Sequence, residues 1–142
     1  MRYFLTLLLC FAYLGGNAQN FEPSWEEAKE KARTENKALL LIFSGSDWCI
    51  PCIKLEKEVW KESLFQSHAK KNYVLYRADF PKRKKNQLPQ DLKEAHALLA
   101  EQYNPEGYFP YVVVFDDKIK IKGYFGYEKK ETIDYIKQID AF

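Results

Sequence analysis

The chain has 142 residues and a formal charge of +2 at pH 7, from 22 Lys and Arg against 20 Asp and Glu. This length is enough for one domain with a substantial core, and the near balance of charge gives no electrostatic reason to expect a nucleic-acid partner. The three cysteines are too few for a small domain held together by several disulfides.

The first 18 residues have the three-part layout of a secretory signal peptide. A positive start is followed by apolar residues 3–14, and small residues lead up to Ala18. We therefore predict cleavage after Ala18, which leaves residues 19–142 as one domain. A retained membrane anchor and a lipid on Cys10 are the alternatives, but the apolar segment is short for a bilayer span and continues past Cys10.

Residues 24–36 have the pattern of a charged, amphipathic helix. Ser24 is placed to cap its start, and Glu27 three residues later completes a capping box. Residues 38–43 are apolar throughout, which predicts a buried strand. Residues 44–47 follow as a turn, in which we expect Asp47 to be a turn residue rather than a catalyst.

The most informative feature is Trp48-Cys49-Ile50-Pro51-Cys52, directly after this strand. Residues 53–69 contain no Gly or Pro and carry apolar residues at helical spacing, so the cysteines lie where a strand ends and a helix begins. Unpaired N–H groups and the positive end of the helix dipole favour a thiolate there. A thiolate attacks disulfides, and a second thiol one turn later can resolve the mixed disulfide. The pattern predicts redox exchange.

The middle of the chain predicts a second strand over residues 73–80 and a helix over residues 89–103. Pro81 stops the strand, and the run Lys82-Arg83-Lys84-Lys85 separates it from the helix. This basic run is interpreted as a solvated loop, with docking of an acidic partner as the alternative. The residues of the helix that we expect to face inward are Leu92, Ala95, Leu98 and Leu99.

The last part of the chain predicts a β-hairpin and a final helix. Residues 111–115 are the strongest strand signal, and residues 116–118 turn into a second strand over residues 119–124. Residues 129–141 have the pattern of an amphipathic helix, with Ile133, Ile136 and Ile139 on one side. The order α-β-α-β-α-β-β-α, without repeats or linkers, predicts a single α/β domain.

This arrangement resembles the thioredoxin fold over nearly all of residues 24–142. Its most specific parts are Trp48-Cys49-Ile50-Pro51-Cys52, Phe109-Pro110 at the start of the Val-rich strand, and Gly126-Tyr127 before the last helix. Residues 44–49 and 52–59 further resemble exported bacterial thioredoxin-like proteins, including the C-terminal domain of the transmembrane reductant carrier DsbD. The resemblance implies an α/β thioredoxin fold: a central mixed β-sheet flanked by helices, in three α/β/α layers.

Thiol chemistry and the resemblance together suggest roles for the site residues. Cys49 is the candidate nucleophile, expected nearest to solvent, and Cys52 the resolving thiol, so the two form the redox disulfide. The resemblance implies that Pro110 is cis and that the Phe109 backbone pairs with an extended client segment. The residues expected to contact a client are Trp48, Ile50, Pro51, Phe109 and Pro110.

The sequence departs from thioredoxins at one buried acid. Thioredoxins keep an Asp in the strand before the redox turn, where it helps to deprotonate the second thiol, but the matching position here is Ile42 or Phe43. Glu56 lies one helical turn after Cys52, and the DsbD C-terminal domain has a Glu at that spacing. Our hypothesis is that Glu56 assists proton movement at Cys52. The alternative is a surface Glu that pairs with a neighbouring Lys.

Two other chemistries compete for the cysteines. Structural zinc would need two further ligands, and only His68 and His96 are available, at separations that match no compact zinc finger. We expect both histidines at the surface or its boundary, and neither a metal nor another cofactor. Cysteine-protease chemistry needs a Cys–His pair and leaves the second cysteine unexplained.

We therefore predict a thiol–disulfide oxidoreductase, periplasmic or secreted, that acts as a monomer on disulfide-containing client proteins. Proline between the cysteines resembles reducing thioredoxins, whose potential is about −270 mV. This favours a reductase, supplied with electrons by a membrane reductant carrier, over an oxidase or isomerase. The alternative from another class is a binding or chaperone-like module that holds unfolded chains on the Phe109-Pro110 face, with the thiols secondary.

Overall fold

A computed structural model describes residues 21–142, so the predicted signal peptide lies outside the described residues. The described strands are β1 (Ala38–Ser44), β2 (Tyr73–Asp79), β3 (Tyr111–Phe115) and β4 (Ile121–Phe125). The described helices are α1 (Trp25–Glu35), α2 (Ile50–Leu55), α3 (Ser63–Asn72), α4 (Gln90–Tyr103) and α5 (Thr132–Asp140).

The four strands form one mixed sheet in the order β2-β1-β3-β4. β1 is parallel to β2, with Leu41 opposite Tyr76, and antiparallel to β3, with Leu41 opposite Val113. β4 adds at the edge as the second strand of the predicted hairpin. The end of the central strand β1 therefore carries the turn that bears the cysteines.

Helices cover both faces of the sheet, which confirms the three-layer α/β/α architecture. Because alternate residues of β1 point to opposite faces, its uniformly apolar sequence supplies both cores. Under α2, α3 and α5 the buried side chains include Leu40, Ile42, Trp60, Phe65, Tyr135 and Ile139. Under α1 and α4 they include Ala28, Leu39, Leu41, Phe43, Tyr76 and Leu99.

The single helix expected over residues 53–69 is wrong, because the chain forms two helices. After α2, a π-helical turn spans Glu56–Trp60, in which the Lys61 N–H donates to the Glu56 carbonyl at 3.0 Å. The extra residue in this turn lets Val59 and Trp60 both face the core. The helix then ends, and the Glu62 carboxylate caps the start of α3 by accepting a hydrogen bond from the Leu64 N–H at 3.2 Å.

In two other helices, some of the buried residues also differ from those predicted. In α4, Ala95 is exposed and Leu98 is 65% exposed, whereas His96, expected near the surface, is only 3% exposed. In α5, which begins later than predicted, Ile133 is exposed while Ile136 is buried. Polar partners explain His96, since its Nε2 lies 3.1 Å from the Tyr76 hydroxyl and its Nδ1 within hydrogen-bonding distance of the Asp79 backbone.

Because His96 is buried, we expect the protein to lose stability in mild acid. Burial lowers the pKa of His96 below 6.5, against the opposing effect of its hydrogen bond with Asp79. Below pH 6.5 the unfolded chain therefore binds more protons than the folded one, and the free energy of unfolding falls as the pH is lowered. We expect His96→Asn to cost about 1–3 kcal/mol at pH 8, through the lost hydrogen bonds, and to weaken this pH dependence.

Guanidinium denaturation of both proteins at pH 8 and pH 5.5 measures this effect, since carboxylates at their usual pKa values titrate below that window. An identical pH dependence in the two proteins would contradict the assignment to His96.

Candidate active site

The two cysteines lie at the junction of β1 and α2, as predicted, and their sulfur atoms are joined in a disulfide. Cys49 is the N-cap residue of α2: its N–H donates to the Gly45 carbonyl at 2.9 Å, and its Sγ accepts from the Cys52 N–H at 3.3 Å. A sulfur at this position accepts a hydrogen bond from a backbone N–H that the helix itself leaves unpaired. In the reduced pair the same contact would stabilise a thiolate at Cys49.

The expected difference in exposure between the two cysteines is wrong for this disulfide form. Cys49 and Cys52, joined in the disulfide, are each 4% exposed. At this turn the Ile50 side chain projects into solvent and is 63% exposed. Approach to the disulfide is therefore bordered by an apolar surface at Ile50 and the exposed Pro51.

Trp48 is held firmly beside the pair. Its indole N–H donates to the Phe80 carbonyl at 2.7 Å, and its ring meets that of Phe109 edge-on at 5.5 Å between centroids. The ring also packs against Gly45, where a Cβ would lie only 2.4 Å from the indole. The redox turn therefore requires glycine at position 45, a requirement the sequence analysis missed because the indole position depends on Phe80 and Phe109.

A methyl group at position 45 tests this packing. We expect Gly45→Ala to cost about 1–3 kcal/mol of unfolding free energy, because the clash displaces an indole held by a hydrogen bond. Denaturant unfolding gives the stability, and near-ultraviolet circular dichroism reports the aromatic environment. Gly126→Ala is the matched control, since its Cβ would meet the Pro110 carbonyl at an ordinary 3.5 Å. Equal stability of the two variants would contradict the close packing.

The Phe109-Pro110 peptide bond is cis, as the resemblance implied. Phe109 borders two grooves beside the redox turn. One, of about 380 Å³, is lined by Pro51, Phe109, Pro110 and tyrosines that include Tyr108 and Tyr127. The other, of about 450 Å³, contains Trp48 and Phe80 and is described below as the Trp48 groove. The predicted client contacts are thus divided between the two grooves, with Phe109 in both, and Ile50 borders neither groove.

A third cavity, of about 330 Å³, lies behind Cys52 and is lined by Cys52, Glu56 and Arg77 together with serine and lysine side chains. Glu56 forms an ion pair with Arg77 of β2 and a longer one with Lys61 at 3.8 Å, so a Lys neighbour is only its minor partner. The guanidinium group also lies over the Phe21 ring at 3.9 Å, and its Nε is buried without a hydrogen bond to any of residues 21–142. The sequence analysis missed Arg77, although a cation directly after the run Tyr-Val-Leu-Tyr of a predicted strand is a visible signal.

Asp47 is a turn residue, as expected, and its side chain also contacts the basic loop of residues 82–85. Its carboxylate accepts hydrogen bonds from the N–H groups of Lys82 and Arg83 and from Asn86 Nδ2, each at 2.9 Å. These bonds, above all the one from the Lys82 N–H, lower the pKa of the Asp47 carboxyl. Asp47 thus attaches the basic loop to the redox turn.

Neither histidine is placed as a zinc ligand, since His68 contacts Asp140 at 3.0 Å and His96 contacts Tyr76 and Asp79. Across residues 21–142 no group of three or more His, Cys, Asp or Glu side chains is arranged to hold a metal ion. The helices in this part of the chain are also too short or too polar to cross a membrane.

Comparison with known proteins places this site in a family. Residues 20–117 match the family model described as thioredoxin-like. The chain belongs to the thioredoxin-like family.

Among its relatives, the chain is 29% identical to the disulfide bond reductase DsbH of Chlamydia pneumoniae, over 96% of this chain and 88% of that protein. A solved structure of a DsbH oxidoreductase has a TM-score of 0.80 at 28% identity, over 88% of this chain and 84% of the other. The oxidised C-terminal domain of Neisseria meningitidis DsbD has a TM-score of 0.58 at 16% identity, over 82% and 90%, and shares the fold.

These findings confirm both the thioredoxin fold and the class of enzyme. The chain is a thiol–disulfide oxidoreductase of the thioredoxin-like family, related to DsbH. The Cys49–Cys52 pair is the redox-capable group that the site contains.

Proposed function

We propose that this protein is an exported reductase of protein disulfides. The proposal rests mainly on the position of the Cys49 sulfur. It caps α2, accepts a hydrogen bond from the Cys52 N–H, and lies beside two grooves. The likeness to DsbH, described as a disulfide bond reductase, supports the direction of electron flow.

The proposed reaction starts from the reduced pair. The Cys49 thiolate attacks one sulfur of a client disulfide, forming a mixed disulfide and releasing the first client thiolate. Cys52 then loses its proton and attacks Sγ of Cys49, which releases the second client thiolate and closes the Cys49–Cys52 disulfide. The client gains two electrons and its two thiolates take up protons, while the enzyme pair is oxidised. A dithiol donor must reduce the pair again, for which we propose a membrane reductant carrier.

The client chain is proposed to lie extended across the cis Phe109-Pro110 bond, with its backbone paired to that of Phe109. Trp48, Ile50 and Pro51 would provide apolar contact on either side of the attacked disulfide. We further propose that residues 1–18 are a signal peptide, that the mature protein is periplasmic or secreted, and that it acts as a monomer without a cofactor.

The reduction potential of residues 19–142, equilibrated against glutathione, tests the direction of the reaction. We expect a value near that of reducing thioredoxins, about −270 mV. A value near that of the strong oxidant DsbA, about −120 mV, would overturn the reductase assignment while leaving the thiol chemistry intact.

Glu56 is proposed to take the proton from Cys52 during the resolving step, because both side chains line the cavity behind the disulfide. We expect Glu56→Gln to slow this step on the order of a hundredfold, the usual size of a general-base contribution. Stopped-flow mixing of the reduced enzyme with a peptide disulfide measures the rate.

The sign of the change separates proton transfer from simple electrostatics. If Glu56 acted only through its charge, its removal would lower the pKa of the Cys52 thiol and accelerate the step. Glu58→Gln is the matched control, since Glu58 contacts the Tyr127 hydroxyl at 3.4 Å instead of the cavity. An unchanged thiol pKa and exchange rate in Glu56→Gln would remove the proposed role.

A further inference from the structure

The basic loop, residues 82–85, is fixed next to the redox turn. Asp47, which directly precedes Trp48, holds the loop through the N–H groups of Lys82 and Arg83. At the same turn, Asp79 accepts hydrogen bonds from the Ser46 N–H at 2.9 Å and the Ser46 hydroxyl at 2.5 Å. The backbone that carries the positive charges of the loop therefore has a defined position relative to the redox turn.

Lys82 lies at the border of the Trp48 groove. Its Nζ is 3.9 Å from the centroid of the Trp48 ring, so an ammonium group covers one face of the indole. The groove walls combine aromatic and aliphatic side chains with a second cation, and include Phe80, Leu88, Lys93 and Phe109. Asp79 also lines the groove, but its carboxylate is occupied by Ser46.

The cations around this groove form no ion pair within 4.0 Å among residues 21–142, although the charge of Arg83 acts on the Asp47 carboxylate. No carboxylate in this part of the chain lies within 4.0 Å of the side-chain nitrogens of Lys82, Arg83, Lys84, Lys85 or Lys93, although many other cations of the chain are paired. In a chain whose total charge is only +2, this is a local excess of positive charge. Such an excess at the rim of an apolar groove attracts anionic groups and raises their rate of encounter.

We propose that the Trp48 groove selects clients whose reducible cysteine is flanked by acidic residues and an apolar side chain. This inference rests on the proposed reductase function and names its substrate class. The apolar side chain packs in the groove against Trp48 and Phe109, whose rings touch each other, and the client carboxylates lie against the ammonium groups of Lys82 and Lys93. The redox step itself is unchanged.

Three synthetic peptide disulfides of one sequence, with two Glu, two Gln or two Lys beside the cysteine, test the selection. We expect the reduced mature protein to act on the Glu peptide about tenfold faster in kcat/KM than on the Lys peptide at low salt. At 0.5 M salt the difference should shrink to about twofold or less, because the charges near the groove mouth are screened. Hydroxyethyl disulfide, which is uncharged and small, is assayed in parallel.

Variants assign the preference to the groove. Lys82→Gln combined with Lys93→Gln should reduce the ratio of Glu-peptide to Lys-peptide rates to about threefold or less. Lys118→Gln combined with Lys120→Gln removes the same charge from the exposed β3–β4 turn and should keep the full ratio. Peptides reduced at equal rates, a preference for the Lys peptide, or a preference that survives in the groove variant would overturn the inference. Failure to reduce any peptide or hydroxyethyl disulfide would instead overturn the reductase function itself.

Discussion

Replacement of Cys49 by serine is expected to lower disulfide reduction to the uncatalysed rate. The reaction begins with attack by a thiolate, and a serine hydroxyl is neither ionised at neutral pH nor able to form a disulfide. Helix α2 should still form, because serine is among the preferred N-cap residues and can accept the Cys52 N–H as the sulfur does. Reduction of a peptide disulfide, followed as released thiol, measures the loss.

The Cys49→Ser variant also separates the enzyme from the binding or chaperone-like alternative. A module that holds unfolded chains on the Phe109-Pro110 face would keep its function without the thiol. Circular dichroism of the variant gives the necessary control that the fold is intact. Full activity of Cys49→Ser in a complementation assay would contradict a function that depends on thiol exchange.

Replacement of Cys52 by alanine is expected to convert the enzyme into a trap. Cys49 would still attack a client, but no second thiol would lie one helical turn away to release it, so the covalent mixed disulfide should accumulate. Non-reducing electrophoresis of the variant mixed with clients should show bands of higher mass that disappear on treatment with dithiothreitol. The proportion of trapped enzyme should approach completeness with excess client, whereas the wild-type protein should show little.

The double variant Cys49→Ser/Cys52→Ala is the matched control for this experiment, because it lacks both thiols and should form no adduct. If Cys52→Ala released its clients as fast as the wild-type protein, Cys52 could not be the resolving thiol. Adducts through Cys52 in a Cys49→Ser background would show that the order of the two roles is reversed.

Local sequence patterns were sufficient for the order of the strands and the position of the redox pair. They did not show that the helical segment after Cys52 divides into α2 and α3. The apolar run of β1 predicts a strand buried on both faces, and the cysteines directly after it have to lie at a strand–helix junction. The thioredoxin fold and the cis bond before Pro110 were predicted from the family resemblance, and the structure has both. These features depend on neighbours in the sequence or on whole motifs, so they are readable without coordinates.

Side-chain partners distant in sequence were decided only by the tertiary structure. His96 is buried because Tyr76 and the backbone of Asp79 satisfy both of its nitrogens, and a helical pattern contains neither partner. Glu56 pairs with Arg77 because the π-helical turn and strand β2 meet behind Cys52. The basic loop is attached to Asp47 by residues that lie 35 and 36 positions further along the chain. By itself the sequence determined the chemistry of the thiols and the order of the strands. Burial, ion pairing and the position of the loop charges required the packed structure, because their energies come from contacts between separate elements.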